Sequence, residues 1–148
     1  MAQVFLGMSG GVDSSAAAVL LQEQGYAVSG LHLSLLSGLP LPAGRLPDDG
    51  SDARAVASLL GLPFYDMDLS PEFRATVIDY FIREYEAGRT PNPCVFCNRR
   101  IKFGAMWDAA QKLGADYLAT GHYAKLRQDP ATGRHLLCRG ADRSKDQS

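Results

Sequence analysis

The sequence predicts an α/β domain: an open, mostly parallel sheet with helices on both faces, plus a small C-terminal hairpin. Three observations carry that prediction. Short apolar runs alternate along the chain with stretches of helical periodicity. The helical stretches end at glycines, namely Gly25, Gly61, Gly88 and Gly114. A glycine turn built on Ser9, Gly10 and Gly11 links the first strand to the first helix.

Residues 4–6 read as a short buried strand, 14–24 as a helix and 27–33 as a second strand. Residues 34–50, rich in Gly and Pro, read as a mobile surface loop. A helix over about 51–60 and a third strand at 64–67 follow. Ser70-Pro71-Glu72 is a helix start, with a capping hydroxyl, proline at the first position and an acid at the positive end. Phe73, Val77 and Phe81 recur at helical spacing and predict an inward face up to Gly88; Tyr80, Phe81 and Tyr85 are expected in the core with wet edges. A loop at 89–98 precedes a helix expected over about 99–113. Tyr117, Leu118 and Ala119 form a strand running into Thr120-Gly121-His122-Tyr123. Segments 124–128 and 135–139 flank a D-P-A-T-G hairpin turn. Ligands of such sheets bind beyond the carboxyl ends of the strands, where the glycine turn and the Gly121 turn converge.

The chain has 148 residues, enough for one domain spanning 1–148 with one sizeable core. No apolar run reaches membrane-spanning length and residues 1–6 lack the pattern of a signal peptide, so the expected location is cytoplasmic. The net charge of −1 conceals an asymmetry: 4 basic against 11 acidic residues up to Gly88, then 11 basic against 5 acidic. A basic second half hints at nucleic acid, and a dipolar solvated surface is the plainer reading. Cys94 and Cys97 form a C-x-x-C within an odd total of 3 cysteines, a pattern of metal or redox chemistry in a reducing compartment.

The stretch Gly7-Met8-Ser9-Gly10-Gly11-Val12-Asp13-Ser14 looks like a phosphate loop without the lysine that a G-x-x-x-x-G-K-[ST] loop carries. Transfer of a γ-phosphoryl group is therefore not expected. What remains is an anion cradle of backbone N–H groups at a helix N-terminus, with Asp13 suited to hold Mg²⁺. This SGGVDS stretch resembles the loop of the PP-loop ATP-pyrophosphatases. The resemblance implies a nucleotide alpha-hydrolase-like fold, ATP as cosubstrate and a gripped pyrophosphate leaving group, so that a substrate oxygen attacks the α-phosphorus.

Residues 88–104, GRTPNPCVFCNRRIKFG, are the most specific segment. Pro91 and Pro93 stiffen it and keep Thr90 and Asn92 extended. Cys97, placed just before the expected helix and beside Arg99, Arg100 and Lys102, is a candidate thiolate because both the dipole and the cations lower a thiol pKa. Together with GMSGGVDSS, LATGHYA and SKDQS, this segment resembles the tRNA-specific 2-thiouridylase family over essentially the whole chain, most weakly across 34–50.

The resemblance implies sulfur transfer to C2 of a wobble uridine after adenylation of its O2. Carried over by position, Gly7, Met8, Ser9, Gly10, Gly11, Val12, Asp13 and Ser14 would bind ATP, with Leu33 and Gly121. Cys97 would be the first catalytic cysteine, with Asp13 also in the reacting machinery. Asn92, Pro93 and Cys94 would lie against the target base, and His122, Lys145, Asp146 and Gln147 would touch tRNA. A persulfide sulfur-donor protein is the implied second partner.

Two departures qualify this. Cys94 stands where some members carry aspartate, and Cys94 with Cys97 could supply two of three ligands of an iron–sulfur cluster, although one C-x-x-C is too few for a closed site. The family's second catalytic cysteine and its tRNA-gripping domains lie beyond SKDQS, so the chain is expected to be the ATP-binding part of a longer enzyme. A non-catalytic ATP- and tRNA-binding fragment, another PP-loop enzyme adenylating a small molecule, and a small metal-binding domain remain open. Cys138 is expected as buried filler, and His32 and His135 as structural or exposed.

Overall fold

A computed structural model describes residues 1–40, 43 and 48–145. Most of the expected loop core and the predicted tRNA contacts Asp146 and Gln147 lie outside the described residues.

Four parallel strands form the sheet in the order β3-β2-β1-β4. They are β1 (Gln3–Gly7), β2 (Ala27–Ser34), β3 (Phe64–Asp68) and β4 (Tyr117–Thr120). In register, Val4 stands between Val28 and Tyr117, and Gly7 between Leu31 and Thr120. Fully covered parallel strands read as continuous apolar runs, and Val4, Phe5 and Leu6 are all buried. Their alternation assigns the two faces. Leu6, Met8 and Val28 pack with Ala18 of α1 (Val12–Glu23) and with Ala53 and Ala57 of α2 (Ser51–Leu59). Phe5 and Leu31 pack on the other face against Met106 and Ala110 of α6 (Met106–Lys112). The hairpin pairs β5 (Lys125–Gln128) with β6 (His135–Cys138) as a separate antiparallel sheet.

Two helical rods lie between β3 and β4 in the chain. The first runs through α3 (Ser70–Phe73), a π-wound stretch Arg74–Ile78 and α4 (Asp79–Glu86). The second runs through α5 (Pro93–Phe96), a π-wound stretch Cys97–Ala105 and α6. The wider winding is visible in the N–H of Met106 donating to the carbonyl of Ile101, five residues back. The rods meet Leu33 and Leu35 in a third cluster around Leu69, Val77 and Ile101.

Several expectations need correction. The second rod begins at Pro93 rather than at 99, because Asn92 caps it through a 3.4 Å bond from the Val95 N–H and Pro93 supplies a pre-set φ. Ser70 is the first helical residue rather than the cap; its N–H and hydroxyl both donate to Asp68, at 2.9 and 2.6 Å. No residue of α4 is buried: Phe81 and Tyr85 are exposed, while Tyr80 stacks on Phe96 with ring centroids 3.8 Å apart. Cys138 is half-exposed, since the hairpin presents little but solvent-facing side chains.

Candidate functional site

The chain visits β1, β2 and β3 on one side of the sheet, then returns to place β4 on the other side of β1. The switch point therefore lies between β1 and β4, where α/β sheets open a crevice for ligands. A cleft of about 350 Å³ occupies that place, within the usual size of a small-molecule site. Its floor is Gly7, Met8 and Ser9 after β1, with Asp13 and Ser14 from the first turn of α1. Leu33 borders it from β2, and Thr120, Gly121 and His122 border it from the end of β4.

Backbone geometry makes this crevice possible. Gly10 holds φ at +77°, and a Cβ on it would stand 2.5 Å from Cβ of Asp52. Gly11 caps α1 without a side-chain bond to the helix amides, which leaves N–H groups of the first turn for a ligand. The Ser14 hydroxyl donates to the Gly11 carbonyl at 3.1 Å and tightens the turn. Gly121 abuts the same turn, its missing side chain giving room to Ser14.

Asp13 is already engaged. Its Oδ1 accepts a 2.7 Å hydrogen bond from the Tyr123 hydroxyl and lies 3.5 Å from Nζ of Lys145. The tyrosine bond and then the Lys145 charge hold this carboxyl below its ordinary pKa. Thus Asp13 brings Lys145 and the phosphate loop together across the length of the chain.

The sequence-predicted nucleotide residues divide. Gly7, Met8, Ser9, Asp13, Ser14, Leu33 and Gly121 line the cleft, while Gly10, Gly11 and Val12 fall outside the lining, with Val12 strongly exposed. Among the described residues predicted to touch tRNA, only His122 lines it; its Nδ1 is 2.7 Å from the Thr120 hydroxyl. Burial, and secondarily Lys102, lowers the His122 pKa and so favours its neutral ring. Asn92, Pro93 and Cys94 stand at the start of the second rod, away from the cleft lining.

Cys97 is displaced from its expected setting. With Pro93 as the first helical residue, Cys97 sits a full turn inside the rod and packs on the Leu69, Val77 and Ile101 cluster. Burial pushes its thiol pKa up; Lys102 offsets part of this and Cys94 adds to it. Burial thus works against the thiolate expected at Cys97. The three cysteines are free, and among the described residues no group of three potential ligands is gathered for a metal ion. Two thiols without a third partner do not fit a cluster held by these residues alone.

Sequence reasoning set Lys102 beside Cys97 and read His32 as structural or exposed, but placed neither at the cleft that both line. Lys102 lines the cleft and acts on both Cys97 and His122, linking the phosphate loop to the cysteine rod. His32, buried, reaches Asp66 at 3.1 Å through Nδ1 and approaches Asp48 at 3.2 Å through Nε2, the latter without hydrogen-bond alignment. Helical spacing from Met106 could have found Lys102, four residues N-terminal to it; nothing in the sequence pairs His32 with Asp48. Among the described residues no helix is long and apolar enough to cross a membrane.

The chain is 52% identical over 146 residues to the tRNA-specific 2-thiouridylase MnmA of Moorella thermoacetica, covering 95% of this chain and 41% of that protein. It is 47% identical to that of Clostridioides difficile, covering 99% of this chain and 42% of that protein. The chain thus spans about two fifths of the length of these relatives. Among solved structures, the U34-tRNA thiolase NcsA from Methanococcus maripaludis, described with its 4Fe-4S cluster, aligns with a TM-score of 0.57 at 24% identity, over 82% of this chain and 38% of that one. A predicted tRNA methyltransferase subunit from Methanocaldococcus jannaschii gives 0.50 at 20% identity, over 90% and 57%. These two likenesses concern the fold alone. A family model described as the tRNA methyl transferase HUP domain matches residues 2–148. With that match across the chain, and a cleft at its switch point floored by the phosphate loop, this protein belongs to the tRNA methyl transferase HUP domain family.

Proposed function

We propose that this chain is the ATP-binding, adenylating part of a tRNA 2-thiolation enzyme. The observation that supports this best is the convergence of the phosphate loop, Gly121, His122 and Lys102 on one cleft at the sheet's switch point. The free amides of the α1 turn suit a pyrophosphate group, and the close approach allowed by Gly121 suits a nucleotide lying across β1 and β4. Asp13 is the carboxylate proposed to hold Mg²⁺, which when bound would screen charge on the leaving pyrophosphate.

In this reading the O2 of a wobble uridine attacks the α-phosphorus of ATP. The new O–P bond replaces the α–β phosphoanhydride bond, pyrophosphate leaves and the N3 proton is released. The outer sulfur of a persulfide then adds at C2 and AMP departs; a second thiol breaks the remaining S–S bond, taking the carrier cysteine into a disulfide and leaving the sulfur on C2. Cys97 is the proposed carrier of that sulfur, loaded by a sulfur-donor protein and cleared by a second thiol outside these residues. Asn92, Pro93 and Cys94 would meet the base, and His122 with the basic second half would meet the tRNA. No step is assigned to an iron–sulfur cluster.

The test uses ATP labelled at the α-phosphorus and a tRNA transcript with a wobble uridine, without a sulfur donor. Label is expected on the uridine transcript and absent from a cytidine variant. Label on neither, with ATP bound, would leave the chain a nucleotide-binding part without adenylating chemistry.

A further inference from the structure

The phosphate loop has no lysine of its own between Gly7 and Ser15, yet its aspartate carries one from far along the chain. Lys145 Nζ stands 3.5 Å from Asp13 Oδ1 and 4.8 Å from the centroid of the Tyr123 ring. The Tyr123 hydroxyl donates to the same Oδ1 at 2.7 Å, so one aromatic side chain fixes both partners. Lys145 follows a tight turn in which Asp142 accepts from the N–H and hydroxyl of Ser144, at 2.9 and 2.6 Å. Both Lys145 and Asp13 remain about half exposed, at 49% and 45%, so the ammonium is within reach of an incoming anion. Lys145 reaches the site through Asp13, whereas the cation that lines the cleft, Lys102, acts on Cys97 and His122 and belongs to the side of the second rod.

We propose that Lys145 is the lysine of this phosphate loop, supplied from the distal end of the described chain, and that it binds the pyrophosphate portion of a nucleoside triphosphate. This rests on the nucleotide-site reading above and assigns to that site a residue which family resemblance places on tRNA. The chemistry is that of any lysine on a phosphate oxygen: a point charge on a flexible stem. Tyr123 holds that charge beside the loop, its stem limited to the small arc that Asp13 and the ring allow.

The test is a calorimetric titration of the full chain with Mg-ATP, inorganic pyrophosphate with Mg²⁺, and AMP. It compares wild type, Lys145→Ala and Lys145→Arg, with thermal unfolding recorded for each. Lys145→Ala should weaken ATP and pyrophosphate binding roughly ten- to a hundredfold and leave AMP binding unchanged, as expected for one charge-assisted contact. Lys145→Arg should restore most of the loss. Unchanged ATP and pyrophosphate affinity, alone or with weakened tRNA binding, would overturn the proposal, as would equal losses for ATP and AMP. Wild-type protein that binds no Mg-ATP would instead sink the nucleotide-site reading itself, and this inference with it.

Discussion

A Cβ on Gly121 would stand 3.0 Å from the backbone nitrogen of Ser14. The end of β4 and the first turn of α1 are thus in backbone contact, and the cleft at the switch point is shaped by that contact. Neither element is adjacent to the other in sequence.

Gly121→Ala should push the α1 turn outward and narrow the cleft. Displacing backbone in a packed region costs about 1–3 kcal/mol, so a denaturant melt should show a loss of that order. ATP affinity should fall further than stability explains. Native-like affinity in a stable Gly121→Ala protein would mean that the Gly121–Ser14 contact does not shape the nucleotide site.

Gly10→Ala and Gly88→Ala make an informative pair. Both glycines have positive φ, +77° and +70°, but the added methyl at Gly88 meets nothing within 4 Å while that at Gly10 meets Asp52 and the backbone of Ala53. Gly88→Ala should cost about 1 kcal/mol, the left-handed penalty alone. Gly10→Ala should cost about 2–4 kcal/mol, strain added to clash. Equal losses in urea titration would show that the phosphate turn relaxes freely.

Ile101 is fully buried where the two rods meet, in the cluster that also holds Cys97. Ile101→Ala should destabilise by about 2–5 kcal/mol through lost burial and a residual cavity. It should also open Cys97 to water. Faster alkylation of Cys97 in native buffer, alongside the lower melting temperature, is the paired signature.

The Cys97 thiol carries a raised pKa whose main cause is burial. Its folded state therefore keeps a proton that the unfolded chain has lost in mildly alkaline solution. The stability this contributes is present below the ordinary thiol pKa and is lost as pH rises through the folded value. Iodoacetamide should accordingly modify Cys94, which is exposed, before Cys97 at pH 7.5. Lys102→Ala should slow Cys97 further, since its charge is the one influence pulling that pKa down.

The alternation of strands and helices was largely legible in the sequence; the strand order was not. The run at Val4, Phe5 and Leu6 is apolar because both sheet faces are covered, and Gly25, Gly61 and Gly114 end helices at positive φ. The phosphate turn was legible because it needs glycines in a fixed order. The start of the second rod was not, because Pro91 and Pro93 signal a stiff loop as readily as a helix start, and only the Asn92 cap decides. The thiol state of Cys97 was not legible either. It depends on Leu69 and Val77, which come from another rod and whose approach is a matter of packing. Lys145 was readable only through the family resemblance, as a tRNA contact, since its partner Asp13 stands 132 positions away.

The measurement that tests the account most directly is pyrophosphate release from Mg-ATP by this chain, with tRNA transcripts bearing a uridine or a cytidine at the wobble position. Release with uridine, little with cytidine and none with Asp13→Ala is the predicted result. Equal release with both transcripts, or no release from protein that demonstrably holds ATP, would contradict it.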